Sequence, residues 1–202
     1  MLTFLAPLIL MQQAAQETAL APALAPALAS ASASAPEASP ATPPTCEGEI
    51  YDALDFWVGE WDVYVTGAEP QEDGKQRIVA SSKIEKLYSG CAIRENWMPG
   101  SSGPGGSLSG YNPKTGKWEQ TWIGSSPGQV YFEGGPVAGD MVLVGTWSDV
   151  GGPGVDGLIR MTYTPNEADS SVRQFGQVSY DHGVSWAPSF DFTYRPKKEI
   201  VK

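Results

Sequence analysis

The sequence predicts an all-β domain, an antiparallel sheet of about ten strands running up and down and closing on itself. Three observations lead there. From Trp61 onward, short β-rich runs alternate with Gly, Pro, Asn or Asp turns every ten to fifteen residues, the spacing of a barrel or sandwich. No long stretch of helical periodicity interrupts them. The 23 glycines and seven tryptophans suit many tight turns and broad aromatic surfaces better than a helical bundle.

In chain order, strands are expected at 61–66, 76–87, 92–98, 107–111 and 117–123, then at 129–133, 141–147, 158–164, 171–179 and 188–195. A short helical turn precedes the first. Nearest-neighbour hairpins between ten strands favour full closure, which removes exposed sheet edges. Two turns carry their own chemistry. In Tyr111-Asn-Pro-Lys-Thr-Gly116, Pro stands early and Gly late, as in a hairpin on a type I turn ending in a left-handed glycine. In Ser179-Tyr-Asp-His-Gly-Val-Ser-Trp186, Asp181 is positioned to accept backbone N–H groups and Gly183 is free to take positive φ. This stretch resembles the Asp-box hairpin of sialidases and other β proteins, chiefly a structural device where it occurs; a single copy is no evidence of glycosidase activity.

The front of the chain has a different composition. Residues 2–11 form a ten-residue apolar run broken by Pro7, far short of the roughly 20 residues a membrane helix needs. Followed by Ala14-Ala15-Gln16, it has the length of a signal-peptide core, although no Lys or Arg precedes it. A cytosolic apolar tail is the alternative. Residues 17–45 are nearly all Ala, Pro, Ser and Leu; recurring prolines prevent a helix and nothing there builds a core, so a semi-extended linker is expected. The organisation is therefore leader 1–16, linker 17–45 and one domain 46–202, large enough to bury a core of its own.

Cys46 and Cys91 are the two cysteines. In an oxidising compartment an even count predicts a bridge, here closing about 45 residues and worth roughly 4 kcal/mol by loop entropy. Two separate thiols are the alternative. Pro-Pro-Thr before Cys46 lacks the small-residue pattern that precedes a lipid-modified cysteine. Thirteen basic residues meet 23 acidic ones, and the first 74 residues hold no Lys or Arg. That balance argues against a nucleic-acid footprint and against docking on anionic lipid.

Catalytic machinery is hard to find. The one histidine, His182, lies inside the Asp181–Gly183 turn, which disfavours a Ser-His-Asp triad, a His-rich metal site or a His-ligated haem. No Gly-rich loop precedes a helix, so a phosphate cradle is not expected either. Neither a metal nor a cofactor is expected. The acid/base candidates left are lone carboxylates, chiefly Glu95 and Asp191.

Strand alternation sends every second side chain inward. Ile93, Glu95 and Trp97 share one face, as do Trp118, Gln120 and Trp122. If those faces point inward, the lumen has aromatic walls with a few polar anchors. Arg160 and Arg173 sit mid-strand and Gln177 shares a face with Arg173, so all three are lumen candidates, although Ile159 and Met161 beside Arg160 carry the apolar face. The expected partner is a small hydrophobic or amphipathic molecule with a polar or anionic end towards the arginines. A filled, purely structural barrel and a carboxylate-dependent hydrolase or isomerase in the same lumen are the rivals.

Leu54-Asp-Phe-Trp-Val-Gly-Glu-Trp-Asp-Val63 is the most specific segment. Its Gly59-x-Trp61 at the entry to the first strand resembles the signature of the lipocalin and calycin barrels. Together with Gly90–Trp97 (GCAIRENW) and Ser171–Trp186 (SVRQFGQVSYDHGVSW), it is similar to an uncharacterised family of exported bacterial calycin-like proteins. The resemblance runs from about Cys46 to Arg195. It implies an up-and-down calycin-like barrel in which Trp61 packs at the closed end and Arg195 of the last strand lies across it. It implies no particular activity.

Overall fold

The structure, a computed structural model, describes residues 45–101 and 103–198. The expected leader, and all of the expected linker but Thr45, lie outside the described residues. A four-residue helix, α1 (Glu49–Asp52), and a 3-10 turn (Asp55–Trp57) come first. Ten strands follow: β1 (Gly59–Val65), β2 (Ile78–Leu87), β3 (Ala92–Pro99), β4 (Gly105–Asn112), β5 (Lys117–Ile123), β6 (Val130–Val137), β7 (Asp140–Trp147), β8 (Gly157–Asn166), β9 (Ser171–Ser179) and β10 (Ala187–Pro196). Every neighbour is antiparallel and sequential, and β10 returns to pair with β1, so the sheet is a closed up-and-down barrel.

All ten expected strands form, with ends displaced by a few residues. The largest displacement is in β6. Gly134-Gly135-Pro136 reads as a turn, yet the strand continues through it to Val137 and the reversal is made by Ala138 and Gly139, both at positive φ. Gly134 is there for close approach: a Cβ at that position would run into the carbonyl oxygen of Val142 on β7. The turn before β5 forms as expected, with the Gly116 N–H donating to the Asn112 carbonyl at 2.9 Å. So does the turn before β10. Asp181 Oδ1 accepts the Ser185 N–H at 2.8 Å, and Gly183 sits at φ +88°.

One end of the barrel is stoppered by the incoming chain. Leu54 and Trp57 are fully buried, and the Trp57 ring packs 4.7 Å from Tyr163 and 5.8 Å from Tyr194. The Trp61 N–H donates to the Trp57 carbonyl at 2.9 Å, and the Trp118 N–H donates to the Ile50 carbonyl at 3.0 Å. Gly59 (φ +153°) lets the Trp61 indole fold back over it, 3.4 Å from where a Cβ would lie. Cys46 and Cys91 are disulfide-bonded, with Cα atoms 4.9 Å apart, which ties the stopper to the β2–β3 turn. Lys86 adds ion pairs to Asp52 (2.6 Å) and Asp55 (2.7 Å). Among the described residues no helix is long and apolar enough to cross a membrane.

Trp61 is buried at the closed end, but Arg195 does not cover it. The β1–β10 register sets Asp62 opposite Arg195 and Trp61 opposite Pro196. Side chains of paired residues share a face, so Arg195 stands outside with Asp62 while Trp61 points in. Its guanidinium lies 4.7 Å over the Tyr64 ring on the outer surface. The aromatic that meets Trp61 from β10 is Tyr194, at 6.3 Å and nearly perpendicular.

The two positions should therefore behave independently. Trp61→Ala is expected to cost about 3–5 kcal/mol, as for a buried aromatic. Arg195→Ala should cost under about 1 kcal/mol, the scale of an exposed cation–π pair. In urea denaturation the double variant should show the sum of the two. A coupling of about 1 kcal/mol or more would contradict the outward placement of Arg195.

Candidate ligand-binding site

At the end opposite the stopper, the lumen holds a cavity of about 260 Å³. Its lining comes from alternate residues of seven strands, each placed inward by the pleat. Trp97, Trp122, Phe132, Trp147, Phe190 and Phe192 form the walls, with Met161 among them. Two glycines make room for rings to lie flat against the barrel. A Cβ on Gly105 would come within 2.7 Å of Trp122, and one on Gly176 would overlap the Phe190 ring. Phe190 and Phe192 stack at 5.5 Å, and Trp97 sits 5.6 Å from Phe192.

The floor is polar. Glu95 is 4% exposed, and its carboxylate is held by neutral hydroxyls from three other strands. Ser107 Oγ donates to Oε2 at 3.1 Å, while Ser82 Oγ and the Tyr194 hydroxyl lie 3.4 Å from Oε1. The Tyr194 hydroxyl donates at 2.8 Å to Gln174 Oε1, and Gln174 Nε2 donates to the Tyr163 hydroxyl at 3.2 Å. Gln120 Nε2 donates to Ser109 Oγ at 2.9 Å. Burial pushes the Glu95 carboxyl up from 4.5 to about 7, against the lowering effect of the hydroxyls around it, that of Ser107 foremost. Burial also pushes both tyrosines upward, and the neighbouring Glu95 charge adds to it.

Of the residues the sequence proposes for the lumen, Glu95, Trp97, Gln120 and Trp122 line this cavity. Trp118 also points inward, but towards the stopper, where it bonds Ile50; it is core rather than cavity wall. Arg160, Arg173 and Gln177 are on the outside. On β8 the inner parity belongs to Ile159, Met161 and Tyr163, and on β9 to Val172, Gln174, Gly176 and Val178. Outside, Arg160 donates to Gln177 Oε1 (2.8 and 3.1 Å) and stacks on Trp186 at 4.3 Å. Arg173 forms a two-pronged pair with Asp191 on β10 (2.8 and 2.6 Å). An anionic ligand end in the lumen would thus find no arginine, so that expectation is withdrawn.

Sequence reasoning missed Tyr163, Gln174 and Tyr194, which complete the floor, and Phe132, Trp147, Phe190 and Phe192 in the walls. The signal for several of them was present. Phe190, Phe192 and Tyr194 alternate along β10, and Ile159, Met161 and Tyr163 alternate along β8. Larger hollows of about 980 and 830 Å³ lie elsewhere, one beside the Val58–Trp61 entry and one over the outer surface of β4–β7. Neither contains a buried ionisable group. Among the described residues no three His, Cys, Asp or Glu side chains are placed to hold a metal ion.

The raised Glu95 carboxyl has a thermodynamic signature. The folded state binds this proton more tightly than the unfolded chain does. The stability it contributes is therefore full below about pH 4.5 and lost as pH rises through about 7. Glu95→Gln removes that dependence. Between pH 4 and 8, wild-type stability should fall relative to the variant by up to about 3 kcal/mol, read from urea midpoints. A difference that does not change with pH would contradict the buried, titrating carboxyl.

No family model matches the chain, and no curated protein matches it either. Any functional reading therefore rests on the chemistry of the lumen.

Proposed function

We propose that this is an exported, calycin-like barrel that binds a small, partly apolar molecule in its lumen without transforming it. The observation that carries the reading is the cavity, closed at one end by the Trp57 stopper and combining six aromatic walls with a hydrogen-bonding floor at Glu95. Aromatic walls with a few convergent polar groups are the usual make-up of a small-molecule site. At about 260 Å³ the cavity is slightly below the range for drug-sized ligands, so a compound of one or two rings fits it best. An empty space of that size also weighs against a solid, purely structural barrel. The periplasm or the cell exterior suits the disulfide and the signal-like leader.

Native mass spectrometry of protein purified from its own host tests this. A discrete small-molecule mass above that of the chain, lost on denaturation, is the expected result. Bare chain, together with unchanged tryptophan fluorescence across a library of small aromatic compounds, would overturn the reading.

One observation favours a second reading, an isomerase or hydrolase in the same lumen. Glu95, poised near neutrality, lies 3.4 Å from the Tyr194 hydroxyl, an arrangement able to move a proton to and from a bound carbonyl compound. Deuterium wash-in next to the carbonyl of small cyclic ketones, followed by NMR, separates the two readings. Catalysed exchange that disappears in Glu95→Gln would support the enzyme; exchange at the buffer rate would leave the binding protein alone.

A further inference from the structure

We propose that the lumen selects a small organic cation, an amine bearing an apolar or aromatic group, with its ammonium on Glu95 and its carbon skeleton among the tryptophans. The inference rests on the lumenal-binding reading and narrows its ligand class. Among the described residues, Glu95 is the one of formal charge type lining the cavity, and it is buried. Every nearby cation is engaged on the outer surface: Lys83 and Arg94 with Glu85, Lys86 with Asp52 and Asp55, Arg173 with Asp191, and Arg160 with Gln177. A buried carboxylate normally has an ionic partner, and none of the described residues supplies one here.

The hydrogen bonding leaves a place for one. The Tyr194 proton is directed at Gln174 Oε1 at 2.8 Å, so its 3.4 Å approach to Glu95 Oε1 is long. The other contact to that oxygen, from Ser82, is equally long. Oε1 therefore keeps acceptor capacity beside the cavity. An ammonium supplies both the donor and the charge. Around it, Trp97, Trp122 and Trp147 line the cavity, and a cation held against their rings gains cation–π attraction. An anion would meet Glu95 with no compensating arginine. A neutral ligand would leave the carboxylate unpaired or oblige it to keep a proton.

The groups that face Glu95 are Ser82 from β2, Ser107 from β4, Gln174 from β9, Tyr163 from β8 and Tyr194 from β10; no His, Lys, Arg or Asp is among them. Between pH 5 and 8 the local charge is therefore set by Glu95 alone. An alkylammonium stays protonated across that range, so its affinity should rise with pH as the carboxyl ionises.

The test uses three probes of matched skeleton, 2-phenylethylamine, 2-phenylethanol and phenylacetate, titrated into the intact protein by calorimetry and tryptophan fluorescence. At pH 8 the amine should bind about tenfold or more tighter than the alcohol, and phenylacetate more weakly than either. In Glu95→Gln, checked for an intact melting transition, the amine should fall to the level of the alcohol. In the wild type the gap should close on lowering the pH to 5, an arm that does not depend on any variant folding. Binding of the alcohol with no preference for the amine at pH 8, or a preference that survives in Glu95→Gln, would overturn the cation assignment and leave lumenal binding standing. If none of the three binds, both fall.

Discussion

The pairing of β10 with β1 is the contact on which the rest depends. Without it the sheet would be an open ten-strand ribbon with two edges and no inside. With it, every strand has an inner and an outer parity, and a shift of one residue in any register would exchange the two sets. The register Val63–Tyr194 and Asp62–Arg195 fixes that choice at the seam. It sends Tyr194 to the Glu95 floor and Arg195 to the Tyr64 ring outside.

The stopper makes the closed sheet a cup. Leu54, Trp57 and Trp61 fill the bore at one end, and Trp118 bonds the same segment from β5. The disulfide and the Lys86 ion pairs hold that segment down from outside. At the other end the inward side chains are large aromatics that remain partly exposed, and glycines at positions 105 and 176 keep them against the wall. The contrast between a packed end and an aromatic-lined end lets a barrel of this size have both a core and a cavity.

Most of the fold was legible in the sequence because its signals are local. Period-two alternation and turn residues located all ten strands, and the Asp181–Gly183 and Asn112–Gly116 turns could be read from residue chemistry alone. The cysteine pair was legible from its even count. The lumen was only half legible. Glu95 and Trp97 follow from alternation with Ile93, but Arg173-x-Phe175-x-Gln177 on β9 has the same alternating look on its outer face. There an aromatic and two polar residues cover the barrel, while the inner face of β9 carries a glycine and a glutamine that read as surface. Which parity faces in depends on pairing with β8 and β10, information that no single strand holds. Arg195 failed for the same reason: its approach to Trp61 was implied by resemblance, and the seam register decides otherwise.

A high-resolution crystal structure of protein isolated from its source tests the cup most directly, because parity and cavity are then seen together. Expected is an open space beside Glu95 between Trp97, Trp122 and Trp147, occupied by water or a bound molecule, with Arg160, Arg173 and Arg195 on the outer surface. Aromatic side chains collapsed onto Glu95 with no space between them, or any of these arginines inside the barrel, would contradict it.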